Sequence, residues 1–266
     1  MKTLGIFGDS FGIANHRRTD HNMCWVDLLK NKYQVDNFSV SGSSIFYSYQ
    51  MFKQHYKKYD KCIFLVTIAN RIWTSHIYKE LEKIGESHLS HVNNLDLLKK
   101  HSEYLERFYS ENRIINETFK TALNYYTYLQ NAELDIFTAA GLLYEIKKLH
   151  PNLLLISTLP SYAKDKIHFN YLSSIVGHFG FLRDITLYEN QSLGFDDWDS
   201  FDSFVVKQNL YDARHCHISD ENNLVLGKEI LKWLDTMKVN LDLTKFHSIN
   251  DLKTFKNKYL LKEEND

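Results

Sequence analysis

The sequence predicts an α/β protein, a three-layer α/β/α sandwich around a mostly parallel central sheet, carrying helical insertions. Three observations point there. Short apolar runs ending in small or polar residues alternate with stretches of helical period. One run, Cys62–Ile68, is apolar almost throughout, as a strand covered on both faces must be. The chain has 266 residues, enough for one large α/β domain. Strand and helix in alternation put parallel strands in one sheet, with crossover helices on its two faces.

The elements run in order. Thr3–Phe7 is a short apolar strand ending at Gly8-Asp9-Ser10. Asn22–Lys32 carries Met23, Trp25, Val26, Leu28 and Leu29 at the spacing of an amphipathic helix. Gln34–Val40 reads as the second strand and ends in Ser41-Gly42-Ser43-Ser44. A helix with Ile45, Phe46, Tyr49 and Phe52 on one face comes next. The third strand, Cys62–Ile68, ends at Ala69-Asn70-Arg71. Residues 74–132 are polar, Tyr-rich and helical in period without a strand signal, and are read as an inserted helical segment. Ala132–Leu149 is a helix broken by His150-Pro151-Asn152, and Leu153–Leu159 is a buried strand before Pro160. Residues 161–210 form a second insertion, irregular and aromatic. Glu221–Met237 is a final helix capped by Ser219, with Leu224, Leu226, Ile230, Leu231 and Leu234 as its core face. Residues 1–240 thus read as one domain and 241–266 as a charged tail.

Composition narrows the function. Charged residues make up 24% of the chain and the formal net charge is −1, so no basic excess points to nucleic acid. Cys24, Cys62 and Cys216 are odd in number and widely spaced, with no Cys-x-x-Cys pair for zinc. The apolar run at the N-terminus is shorter than a secretory core, and no stretch nears the roughly 20 apolar residues that cross a bilayer. The expectation is a cytoplasmic protein with no membrane span.

Chemistry gathers at strand ends. In open α/β sheets ligands bind outside the carboxyl ends of the strands, and Ser10, Gly42 and Asn70 each come just after such an end. A serine on a strand-to-helix turn exposes its hydroxyl as a nucleophile. Gly42 can present a backbone N–H and Asn70 an amide N–H to a developing oxyanion.

Four blocks strengthen this. Phe7-Gly8-Asp9-Ser10-Phe11-Gly12 resembles the first block of the SGNH/GDSL hydrolases. WVDLLKNKYQVDNFSVSGSS, residues 25–44, is similar to the second, and Val66-Thr67-Ile68-Ala69-Asn70-Arg71 to the third. YDARHCHISDENN, residues 211–223, resembles the last, which carries the acid and the histidine. The blocks stand in the family's order and span nearly the whole chain. The resemblance implies an SGNH/flavodoxin-like sandwich. It also implies a nucleophile at Ser10, an oxyanion hole of the Ser10 N–H, Gly42 and Asn70, a late histidine as base and Asp212 to orient it. No metal or organic cofactor is needed for that chemistry.

Two departures from the family pattern stand out. Ile68 occupies the place of a usual glycine, and Arg71 that of a frequent acid after the asparagine. In the last block Asp212-Ala213-Arg214-His215 keeps the D-x-x-H spacing. His217, preceding Ile218-Ser219 and a helix, keeps the distance from base to helix start. His217 is preferred as the base, with His215 as the alternative.

The first reading is therefore a serine ester hydrolase working through an acyl-enzyme, acting on a small-molecule or glycan ester and removing small acyl groups. An acyltransferase on the same triad and a non-catalytic binding or assembly module of the same fold are the alternatives. Other clusters carry weaker signals. Cys216 between two histidines has the wrong directions for a metal site, and Asp196, Asp197, Asp199 and Asp202 lack an EF-hand's glycine and terminal glutamate. His16, Arg17, Arg18 and His21 read as a solvated loop, and Tyr125, Tyr126 and Tyr128 as packing residues. The Tyr-rich insertion is a candidate lid or homo-oligomer surface.

Overall fold

The computed structural model of the protein describes residues 1–13, 24–67, 69, 71–73, 91–92, 113–158, 182, 185 and 218–248. Its centre is a sheet of four parallel strands, β1 (Lys2–Phe7), β2 (Tyr33–Asn37), β3 (Lys61–Val66) and β6 (Leu153–Ser157), in the order β2-β1-β3-β6. Between β3 and β6 in sequence, β4 (Ile72–Trp73) pairs antiparallel with β5 (His91–Val92). Five helices are described: α1 (Trp25–Leu29), α2 (Ile45–His55), α3 (Arg113–Tyr128), α4 (Ala132–Leu149) and α5 (Asp220–Thr236).

Side chains along a strand alternate between faces, and that alternation sorts the core into two halves. Leu4, Ile6, Ile63, Leu65, Leu154 and Ile156 point to one face, where Trp25, Val26 and Leu29 of α1 and Leu226, Ile230, Trp233 and Leu234 of α5 cover them. Phe7, Cys62, Phe64, Val66 and Leu155 point to the other, under Ile45, Tyr49 and Phe52 of α2 and Ala139, Ala140, Leu143 and Ile146 of α4. Helices therefore lie on both faces of a parallel sheet, the predicted three layers. Leu182 and Ile185 have helical backbone and are fully buried in the first half of the core.

Helix α4 has the predicted bounds because its ends are chemically marked. Asn131 Oδ1 accepts from Leu134 N at 3.1 Å, Glu133 and Asp135 sit in the first turn, and Lys147 and Lys148 sit in the last. Other bounds shift. Strand β2 leaves the ladder after Asn37, not Val40; beyond it Phe38 N donates to Ile6 O (2.7 Å) and Val40 N to Gly8 O (3.0 Å). Described β3 and β6 end at Val66 and Ser157, with Ile68 and Leu159 outside the described residues. Helix α1 starts at Trp25 with Cys24 as its N-cap, three residues later than expected.

Two core assignments are corrected. Phe46 is 44% exposed, because Ile45, Tyr49 and Phe52 already form the i, i+4, i+7 stripe and Phe46 lies 100° away from it. On α5, Leu224 is only half-buried, Leu231 is half-buried but packs against the core, and Trp233 joins Leu226, Ile230 and Leu234 within it. The β4–β5 pair falls partly in a stretch expected to hold no strand; two residues a side are too few to leave a periodic signal. Of the three tyrosines read as packing residues, Tyr126 is buried and meets Tyr125 edge-on at 5.6 Å, whereas Tyr128 is exposed.

One buried carboxylate lies in α5. Glu229 is 5% exposed and meets Lys232 Nζ at 2.5 Å and Lys245 Nζ at 2.9 Å. Burial by itself raises its pKa, but the hydrogen bonds and charges of the two ammonium groups outweigh it and hold the carboxyl below its ordinary value of 4.5. A depressed carboxyl pKa contributes stability above the unfolded value, lost as pH falls through the folded one. Thermal unfolding from about pH 6 to about pH 3 is expected to show Tm falling, and Glu229→Gln to flatten part of that fall. Equal slopes in the two proteins would contradict the assignment.

Candidate active site

Parallel strands place Phe7, Val66 and Ser157 at one edge of the sheet, and the candidate site is built on the turns that leave them. After β1 the chain must pass close to β3: a Cβ on Gly8 would run into the Cβ and Cγ of Leu65. Asp9 comes next, 2% exposed, and its Oδ1 accepts from Phe11 N at 3.1 Å. That bond caps a single 3₁₀ turn, Ser10–Gly12, in which Gly12 N donates to Asp9 O (3.0 Å) and Ile13 N to Ser10 O (3.2 Å). Ser10 opens this turn and is half-buried.

Two side chains from elsewhere hold the turn from behind. The Trp25 indole Nε1 donates to Phe11 O at 2.7 Å, and Asn37 Nδ2 donates to Gly12 O at 2.6 Å. Trp25 is fully buried at the start of α1, so the turn is anchored to the core and not only to its neighbours in sequence.

The second turn comes after β2. Ser43 N donates to Val40 O at 3.0 Å, closing a β-turn with Gly42 at its third position and φ of 71°. A side chain there would be strained by the left-handed backbone, although among the described residues nothing beyond its chain neighbours lies within 4 Å of where its Cβ would stand. Ser44 then caps α2, its Oγ accepting from Tyr47 N at 3.2 Å, and Ser43 Oγ meets Ser48 Oγ at 2.7 Å.

The third and fourth strand ends join these turns through Arg71 and Thr158. Arg71 Nη1 lies 2.8 Å from Thr67 Oγ1, 3.1 Å from Ser43 O and 3.5 Å from Asp9 Oδ2. Thr158, just past β6, has its hydroxyl 3.2 Å from Asp9 Oδ2 and 3.1 Å from Val66 O. Ser10 and Gly42 are thus brought to the same sheet edge, each next to a residue of one polar network. Asn70, Asp212, His215 and His217 lie outside the described residues.

The segment just after His217 is anchored in the core. Ile218 is buried in the same half of the core as Phe11 and Trp25. Asn223, in the first turn of α5, donates through Nδ2 to Ile218 O at 3.0 Å, and its Oδ1 accepts from Trp25 N at 3.4 Å. The backbone next to His217 is therefore linked through Asn223, Trp25 and Phe11 to the residue next to Ser10.

Among the solved structures that resemble the chain are two hydrolases. One is a lipase/acylhydrolase from Enterococcus faecalis, 13% identical, covering 91% of this chain and 100% of its own, with a TM-score of 0.43. The other is a mutant of Axe2, an acetyl-xylooligosaccharide esterase from Geobacillus Stearmophilus, 15% identical, covering 91% of this chain and 97% of its own, with a TM-score of 0.38. No protein-family model and no curated protein sequence matches the chain.

Cys62 on β3 is a poor rival nucleophile. It is fully buried, and burial pushes its thiol up to about 12, so it stays protonated at neutral pH. Among the described residues no group of three His, Cys, Asp or Glu side chains is placed to hold a metal ion, and no helix is long and apolar enough to cross a membrane. The primary structure alone does not single out Thr158, Asn223 or the Trp25 indole. All three are ordinary residues on strand ends or helix starts, and only their long-range hydrogen bonds reveal their part in the site.

Proposed function

We propose that the protein is a serine ester hydrolase of the SGNH/GDSL type. The Ser10 hydroxyl attacks the acyl carbonyl while His217, oriented by Asp212, takes its proton. The Ser10 N–H, Gly42 N–H and Asn70 amide stabilise the tetrahedral oxyanion. Collapse expels the alcohol, which receives the proton from the histidine, and leaves an acyl group on Ser10 Oγ. Water, deprotonated by the same histidine, then releases the acid. The family that the four sequence blocks resemble acts on many esters, and among these our reading takes a small acyl group on a glycan as the substrate.

One observation supports this reading above the others: the turns bearing Ser10 and Gly42 share a sheet edge, and Ile218, next to His217, is tied by Asn223 and Trp25 to the Ser10 turn. That arrangement supports a nucleophile and an oxyanion donor on turns of one sheet edge, with the base proposed in the segment that precedes Ile218. Labelling the folded protein with a fluorophosphonate and mapping the adduct by peptide mass spectrometry tests it. The expected result is one adduct, on Ser10; a folded protein that takes no label there, even with a small organophosphate, overturns the proposal.

A further inference from the structure

We propose that Arg71 is a positioning residue that sets the three oxyanion donors relative to one another; this rests on the esterase reading above. Its guanidinium is held inside the sheet edge, with its side chain 10% exposed and that of Asp9 3% exposed. One nitrogen, Nη1, faces the Thr67 hydroxyl at 2.8 Å, the Ser43 carbonyl at 3.1 Å and the Asp9 carboxylate at 3.5 Å. These partners have a common feature. Asp9 immediately precedes Ser10, Ser43 immediately succeeds Gly42, and Arg71 itself immediately succeeds Asn70. A single side chain therefore joins the turns that bear Ser10 and Gly42, each at one residue's remove, from a position next to Asn70 in sequence.

The chemistry suits a guanidinium and not an acid. Nη1 carries two N–H groups, and these three partners are all acceptors: a carbonyl, a hydroxyl oxygen and a carboxylate. The two N–H groups of that nitrogen lie in the rigid guanidinium plane, and the group's charge stands against the buried Asp9 carboxylate. Asp9 is held from a second side by Thr158, whose hydroxyl is shared with Val66 O. The carboxylate in turn caps the Ser10 turn through Phe11 N. Where the family that the third block resembles frequently has an acid, this chain has a cation, Arg71, opposite in charge to Asp9.

An oxyanion hole acts on the transition state more than on bound substrate, so misplacing its donors lowers kcat and spares KM. The test is p-nitrophenyl acetate turnover and fluorophosphonate labelling of wild type, Arg71→Lys, Arg71→Met and the Asp9→Asn/Arg71→Gln pair. The pair removes both buried charges and so leaves neither unpaired, which keeps a folded variant available. Expected are a fall in kcat of about 10-fold for the lysine and about 100-fold for the others, with KM within about 2-fold. Amide exchange is expected to quicken over residues 9–12 and 41–44. If wild type labels at Ser10 and the folded variants keep its kcat, the positioning role is overturned while the esterase reading stands. If wild type does not label, the esterase reading fails. Unchanged amide exchange in the variants overturns the positioning role in either case.

Discussion

Ser10→Ala is expected to lower p-nitrophenyl acetate hydrolysis by about 10⁴-fold or more while changing unfolding free energy by no more than about 1 kcal/mol. The two numbers separate because Ser10 does different jobs in the two processes. In the fold its backbone opens a 3₁₀ turn whose cap is the Asp9 side chain and whose anchor is the Trp25 indole, and an alanine keeps all of that. In the proposed reaction the hydroxyl oxygen forms the acyl bond, and Cys62 is a poor replacement, being buried with its thiol pushed up to about 12. Steady-state kinetics beside a denaturant melt would check both halves. A variant retaining a tenth of wild-type turnover would place the nucleophile elsewhere.

His217→Ala is expected to cost about 10³-fold in kcat/KM, and His215→Ala less than about 5-fold. The two histidines are two residues apart and both come after Asp212, so sequence spacing alone leaves both open. The difference lies in the residues beyond them. Ile218 is locked into the core, its carbonyl accepts from Asn223 Nδ2, and Asn223 Oδ1 accepts from Trp25 N. Ile218, the residue after His217, is thereby tied to the Ser10 turn, and His215 lies two residues further from that anchor in sequence. Proton transfer tolerates little error in distance, so the proposal assigns the base to the histidine that adjoins the anchor. The kcat/KM pH profile gives an independent check: the ascending limb should persist in His215→Ala and vanish in His217→Ala. The reverse pattern would hand the base to His215.

Much of the architecture was legible because it depends on local period and composition. The continuous apolar runs of β3 and β6 mark strands covered on both faces, and Asn131, Ser44 and Ser219 mark helix starts through side-chain oxygens that the backbone N–H groups need. Ser10 and Gly42 were legible for a related reason, since both come just after strand ends in a parallel sheet. Less legible were Phe46, whose apolar character overrides its place off the buried stripe, and the two-residue pairing of β4 with β5. Neither the exposure of one ring nor a bridge that short has a periodic signature.

The strand–helix order, the doubly covered sheet, the edge where chemistry gathers and the candidate nucleophile can all be read from the primary structure, because each depends on residues within a few positions of one another. The support of that edge cannot, since it is made by contacts that span the fold. Arg71 meets Asp9 across 62 residues, Thr158 meets it across 149, and Asn223 reaches Trp25 across 198. Such pairings are chosen by the register of β1, β3 and β6 and by the packing of α1 against α5. A buried polar atom must take whichever partner that packing brings within reach, and no local pattern records the choice.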